Sequence, residues 1–195
     1  MTEVKRAFAF ADVLGAVNAG GRSVVDAHRP GIFRTNSVAP QSDDVPIRTV
    51  VWSWDDAAVD VGVEPDAVLR LAESVRWDRR DPAQITGGGI KQVCFVARRA
   101  DVPRAEFERR YAAHADIARV HHPAVSRYVQ NLVVDTRGEG VGAIEAISEL
   151  WFDTVDDYRE HYYAGPGSPD VVRTDVVDYL DFTRGFNVMM ETRAE

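Results

Sequence analysis

From Pro103 to His121 the residues Phe107, Tyr111, His114, Ala118 and His121 follow one another at spacings of 4, 3, 4 and 3, the period of one face of an α-helix. The opposite positions, Glu108, Arg109, Ala112, Asp116 and Arg119, are mostly charged, so the stripe faces inward, with Ile117 at its edge. It carries an imidazole where an aliphatic side chain would pack better. A buried histidine needs hydrogen-bond partners, and its proton affinity shifts with them, which is one way to make a general acid or base near neutral pH. The competing reading is a core histidine satisfied by its neighbours. A tyrosine three residues earlier on the same face favours chemistry, because a phenol beside the base can polarise a substrate oxygen. The candidate catalytic set is His114, Tyr111 and Tyr128; the candidate substrate contacts are Phe107, Ala118, His121, Asn131 and Trp151.

Several elements must position these groups. "QVCFVA" (Gln92 to Ala97) is a β-rich run, and Asp101 and Pro103 start the helix that carries the stripe. Pro123 marks its exit. "SRYVQNLVV" (Ser126 to Val134) and "AIEAISELWF" (Ala143 to Phe152) read as a hairpin joined by "DTRGEGVG". A short helix from Asp153 to Tyr163, a break at "GPGSP", a helical "DVVRTDVVDYLDF" and a last strand "GFNVMMETR" complete the order βαββαβ. Alternation sets Ile144, Ala146, Ser148, Leu150 and Phe152 against the helices and Glu145, Ile147, Glu149 and Trp151 on the other face. Glu149 there calls for a salt-bridge partner. Tyr128 and Asn131 point to opposite faces, so only one of them can share a pocket with His114. His121 suits a structural place at the helix end, His122 is expected in solvent beside Pro123, and His161 on an exposed helix.

The first half carries a worn copy of one phrase. "HRPGIFRTN" begins at His28 and "HHPAVSRYVQN" at His121, aligning Pro30 with Pro123 and Arg34 with Arg127. Around it, "AFAFA", "RTNSV" and "RTVVWSW" read as strands, "EPDAVLRLAESV" as a helix with Glu64 and Pro65 in its first turn, and "RWDRR" as a closing segment. The paired phrases predict two repeats, residues 1–86 and 90–195, divided by a "TGGG" linker and superposing with His28 over His121. The step of seven residues that leads back from His121 to His114 leads from His28 to Gly21. A single competent pocket, in the second half, is therefore expected.

With "EFERRYAAH", "HHPAVSRYVQN" and "ELWFD" in view, residues from about 90 to 190 resemble the EthD-domain family. That resemblance implies the dimeric α+β barrel group, in which two ferredoxin-like sheets pack face to face. The expected fold is thus α+β, with tandem ferredoxin-like (βαββαβ) repeats forming an intramolecular dimeric α+β barrel. The family pattern sets the helix histidine one residue later relative to its Phe than His114 stands from Phe107. The wider group includes lyases, polyketide cyclases, cofactor-free monooxygenases and accessories to oxidation systems. The resemblance implies a cofactor-independent lyase or cyclase acting on an aromatic or polyketide-like carbonyl compound. The alternatives are a cofactor-free monooxygenase and a non-catalytic accessory that binds a hydrophobic metabolite or a partner protein.

Composition bounds the partners. The chain of 195 residues has 23 basic against 31 acidic residues, a net charge of -8, and 45% hydrophobic content. Such a balance repels phosphate backbones and anionic membranes, and no basic patch offsets it. The expected partner is a small hydrophobic substrate, without nucleic acid or membrane; a homodimer is compatible with the family's pairing. The one cysteine, Cys94, lies in an apolar run and reads as an inert buried thiol. No HExxH, CxxC or phosphate-loop spacing occurs, so neither metal nor cofactor is expected. Glu3 and Asp12 interrupt what would otherwise resemble a leader, and no apolar run approaches a membrane span. A cytoplasmic protein is expected.

Overall fold

Alternating burial along the strands decides the architecture. In a computed structural model, which describes residues 4–14, 22–34, 37, 41–54, 62–80, 90–139 and 141–193, eight strands are formed. They are β1 (Lys5–Phe10), β2 (Ser23–His28), β3 (Thr49–Ser53), β4 (Ala67–Asp78), β5 (Ile90–Ala97), β6 (Arg127–Gly138), β7 (Ile144–Phe152) and β8 (Phe186–Arg193). Three helices accompany them: α1 (Arg104–His121), α2 (Val155–Glu160) and α3 (Ser168–Val176). The strands close into one barrel in the order β1-β3-β2-β8-β5-β7-β6-β4, every neighbour antiparallel.

This corrects the expected fold. The chain does not form an α+β dimeric barrel of ferredoxin-like units; it is a mostly-β closed barrel, and among the described residues all three helices lie in the second half. The segment "EPDAVLRLAESV", expected as a helix, contributes most of the twelve-residue strand β4. Its N-terminal half buries Ala67, Leu69 and Leu71 in alternation, and its two edges bond β1 and β6. Those two ladders outweigh the helix propensity of its Ala, Leu and Glu residues. Continuous hydrogen bonding from β2 to β8 and from β4 to β6 joins the halves into one sheet.

The repeated phrase also marks unequal places. His28 ends strand β2, whereas His121 ends helix α1, so the two phrases begin at different kinds of junction. Strand order does repeat: the first half lies as β4-β1-β3-β2 and the second as β8-β5-β7-β6. The "TGGG" segment, Gly21 and most of "RTNSV" fall outside the described residues.

Inside the barrel, Ala7, Ala9, Val50, Trp52, Leu69, Val93, Ile147, Val188 and Met190 form one apolar core. Alternate residues of β5, β6 and β7, including Val96, Tyr128, Ala146, Leu150 and Phe152, face outward and are covered by the helices. A layer between sheet and helices therefore exists in the second half. The candidate site lies in it.

Candidate active site

Helix α1 begins after Pro103, whose carbonyl accepts from the Phe107 N–H at 3.0 Å. Arg104–Glu108 and Glu106–Arg109 ion pairs decorate its outer face, while Phe107, Tyr111, Ala115 and Ala118 are buried. Phe107 stacks on Tyr111 with ring centroids 5.5 Å apart and fixes its direction. The Tyr111 hydroxyl thereby meets Ser148 Oγ of β7 at 2.7 Å.

Between this helix, α3 and the outward face of β5, β6 and β7 lies a cavity of about 130 Å³. One wall is a hydroxyl cluster. Gln130 Nε2 donates to the Tyr128 hydroxyl at 3.0 Å and to the Tyr111 carbonyl at 2.6 Å, and its own Oε1 accepts from Arg76 Nε at 2.7 Å. The Tyr128 oxygen therefore accepts from the amide, and its proton is free to point elsewhere; Ser148 Oγ stands 3.5 Å away. Burial raises both phenols, Tyr128 to about 12 and Tyr111 well above the ordinary range, so both keep their protons and act as donors. The Tyr179 hydroxyl also lines the cavity, is buried, and has no hydrogen-bond partner among the described residues.

His114 borders the same cavity. Its Nδ1 lies 2.6 Å from Asp175 Oδ2 of α3. Since a carboxylate accepts, Nδ1 carries the hydrogen and Nε2 is left to exchange a proton. The carboxylate would stabilise the imidazolium that forms. His122, the C-cap of α1, lines the cavity as a second imidazole. Its Nδ1 donates to the Tyr162 carbonyl at 3.3 Å, and its ring packs against Tyr162 and Tyr163. Burial, with the nearby His114 and Arg34, holds it down to about 3, so it is neutral and its Nε2 is an acceptor.

Of the residues singled out from the sequence, His114, Tyr111, Tyr128 and Ala118 line this cavity. Phe107 supports Tyr111 from beneath, and His121 bonds Ser168 Oγ at 2.9 Å, holding the helix end to α3. Asn131 lies on the other face of the sheet, donating to Glu149 at 2.9 Å. Trp151 lies there too, with Lys91 over its ring at 4.1 Å. His161 is exposed as expected, whereas His122, expected in solvent, is buried. Cys94 opens onto the cavity, and burial pushes its thiol up to about 12, which keeps it unreactive.

Sequence reasoning missed His122, Asp175, Arg34, Tyr162 and the role of Ser148. Asp175 and Arg34 come from distant segments, and no periodicity links them to α1. Ser148 was visible, since a hydroxyl on an otherwise apolar strand face needs a partner.

Glu149 has the partners its burial demands. Burial alone would raise it, but Lys5 and Lys91 outweigh that and hold it at about 2. Lys91 also pairs with Asp26, and Lys5 with Glu73 at 2.7 Å. Trp52 and Thr192 donate to Asp26.

Among the described residues no group of three or more His, Cys, Asp or Glu side chains is arranged to hold a metal ion, and no helix is long and apolar enough to cross a membrane. No family model matches the chain, and no curated protein matches it.

Proposed function

We propose that the protein is a cofactor-independent enzyme of lyase or cyclase type that acts on an aromatic or polyketide-like carbonyl compound, as the resemblance to EthD-domain proteins implies. One observation carries this reading: a single cavity of about 130 Å³ is lined both by the Asp175-tethered His114 and by the Tyr111 and Tyr128 hydroxyls. At about 130 Å³ the cavity approaches the roughly 150 Å³ of an apolar cavity that accepts benzene, the scale of a single ring. His114 Nε2 removes a proton from the carbon next to the carbonyl. The electron pair of that C–H bond moves into the enolate, and a phenol donates to its oxygen. The imidazolium then returns the proton to the product or to a leaving oxygen. No electron leaves the substrate, so proton transfers suffice.

The test is deuterium exchange at the methylene of phenylacetone, followed by NMR. The protein accelerates it, and His114→Gln slows the exchange about 10²-fold or more while still binding the ketone. Equal exchange by His114→Gln overturns the assignment. Binding without exchange by the wild-type protein overturns catalysis in favour of a metabolite-binding accessory.

A further inference from the structure

Arg34 lies in the loop that follows β2 and reaches across to the second half. Its guanidinium carbon stands 3.3 Å from the Tyr162 ring centroid, with Tyr158 at 5.0 Å and Tyr163 at 5.5 Å. Nη1 donates to Gln92 Oε1 at 3.3 Å and Nη2 reaches Ser37 Oγ at 3.5 Å. Nε is buried and has no hydrogen-bond partner among the described residues.

No carboxylate pairs with this arginine among the described residues, and residues 35–40 contain no acid. Arg34 is half-buried, and the two lysines that are fully buried are matched: Lys5 by Glu73 and Glu149, Lys91 by Asp26 and Glu149. An arginine cannot shed its proton, and removing its charge from water is costly unless an anion answers it. Tyrosine faces recover only part of that cost.

Arg34 lines the ring-sized inner cavity and also a second, outer basin of about 230 Å³ walled in part by Arg159 and Glu160. It therefore stands where the two spaces meet. A ring seated beside Tyr111 and Tyr128 would present its substituent to the guanidinium. The planar fork of an arginine matches a carboxylate with two parallel hydrogen bonds.

We propose that Arg34 receives a carboxylate of the substrate, whose ring occupies the inner cavity, so that the ligand class is a cyclic or aromatic keto acid. This rests on the reading of the cavity as a substrate site.

The experiment compares 3-phenylpropanoate with 3-phenylpropanamide by calorimetry. The wild-type protein binds the acid at least tenfold more tightly than the amide. Arg34→Gln loses that preference, and Arg34→Lys, which keeps charge without the fork, retains part of it. Equal affinity for acid and amide in the wild type, or a preference that survives Arg34→Gln, overturns the proposal. Should Arg34→Gln not fold, modification of wild-type Arg34 by phenylglyoxal decides: protection by the acid and not by the amide supports it, and equal protection overturns it. Phenylacetone is uncharged, so its exchange reports on His114 independently of this outcome.

Discussion

His122 illustrates how one residue's surroundings set the acid stability of the whole fold. The unfolded chain takes up this proton near pH 6.5, but the folded chain only near pH 3. The contribution of His122 is therefore intact above about pH 6.5 and is lost as pH falls toward 3, at up to about 1.4 kcal/mol per pH unit. Urea midpoints between pH 7.5 and 5 are expected to fall for the wild type and to fall less for His122→Phe, which keeps an aromatic ring against Tyr162. Equal slopes would show that the imidazole is solvated. At this scale the helix stripe was legible, since a period of 3.6 brings Tyr111, His114 and Ala118 to one side. Its completion was not: Asp175 lies 61 residues from His114, and only tertiary packing of α3 on α1 joins them. His122 was misplaced because proximity to Pro123 suggests an exposed turn, whereas the chain there folds back under Tyr162 and Tyr163.

Strand β4 shows the same limit for elements. "EPDAVLRLAESV" offers helix formers and a helix-like start, and also places Ala67, Leu69 and Leu71 in alternation. Both periods fit, and the choice falls to two partner strands that are remote in sequence. Strands β5 and β7, being short and rich in β-branched and aromatic residues between turn signals, were legible without such help. The end of β6 is a place where one atom matters. Gly138 has φ +90°, and a Cβ there would stand 2.2 Å from the Asp66 carbonyl oxygen and 3.0 Å from Ala67 Cα. Neither backbone atom can yield without breaking the β4–β6 ladder. Gly138→Ala is expected to cost about 1–3 kcal/mol, lowering the thermal midpoint by about 2–4 °C for each kcal/mol. An unchanged midpoint would mean that this junction shifts freely.

For the molecule as a whole, the charged cluster inside the barrel ties the halves together, because Lys5 and Asp26 come from one and Lys91 and Glu149 from the other. Losing Lys91 leaves the buried Asp26 without its lysine and Glu149 with Lys5 alone. Lys91→Met is therefore expected to cost about 3–5 kcal/mol. Glu149→Gln should cost clearly less, since Lys5 keeps Glu73 and Lys91 keeps Asp26. Urea unfolding of both variants checks the order, and equal losses would mean that packing rather than charge balance holds this region. The bond from Thr192 to Asp26 spans 166 residues, and that span has a consequence for synthesis. A ribosome adds about 5–20 residues per second, so the second edge of β2, already paired with β3 on its other side, waits on the order of ten seconds for strand β8 to emerge. During that interval the nascent chain presents one unpaired strand edge to every neighbouring polypeptide. The period of greatest exposure for this protein is its own translation, and slowed elongation between β2 and β8 would be felt as lost yield rather than lost activity.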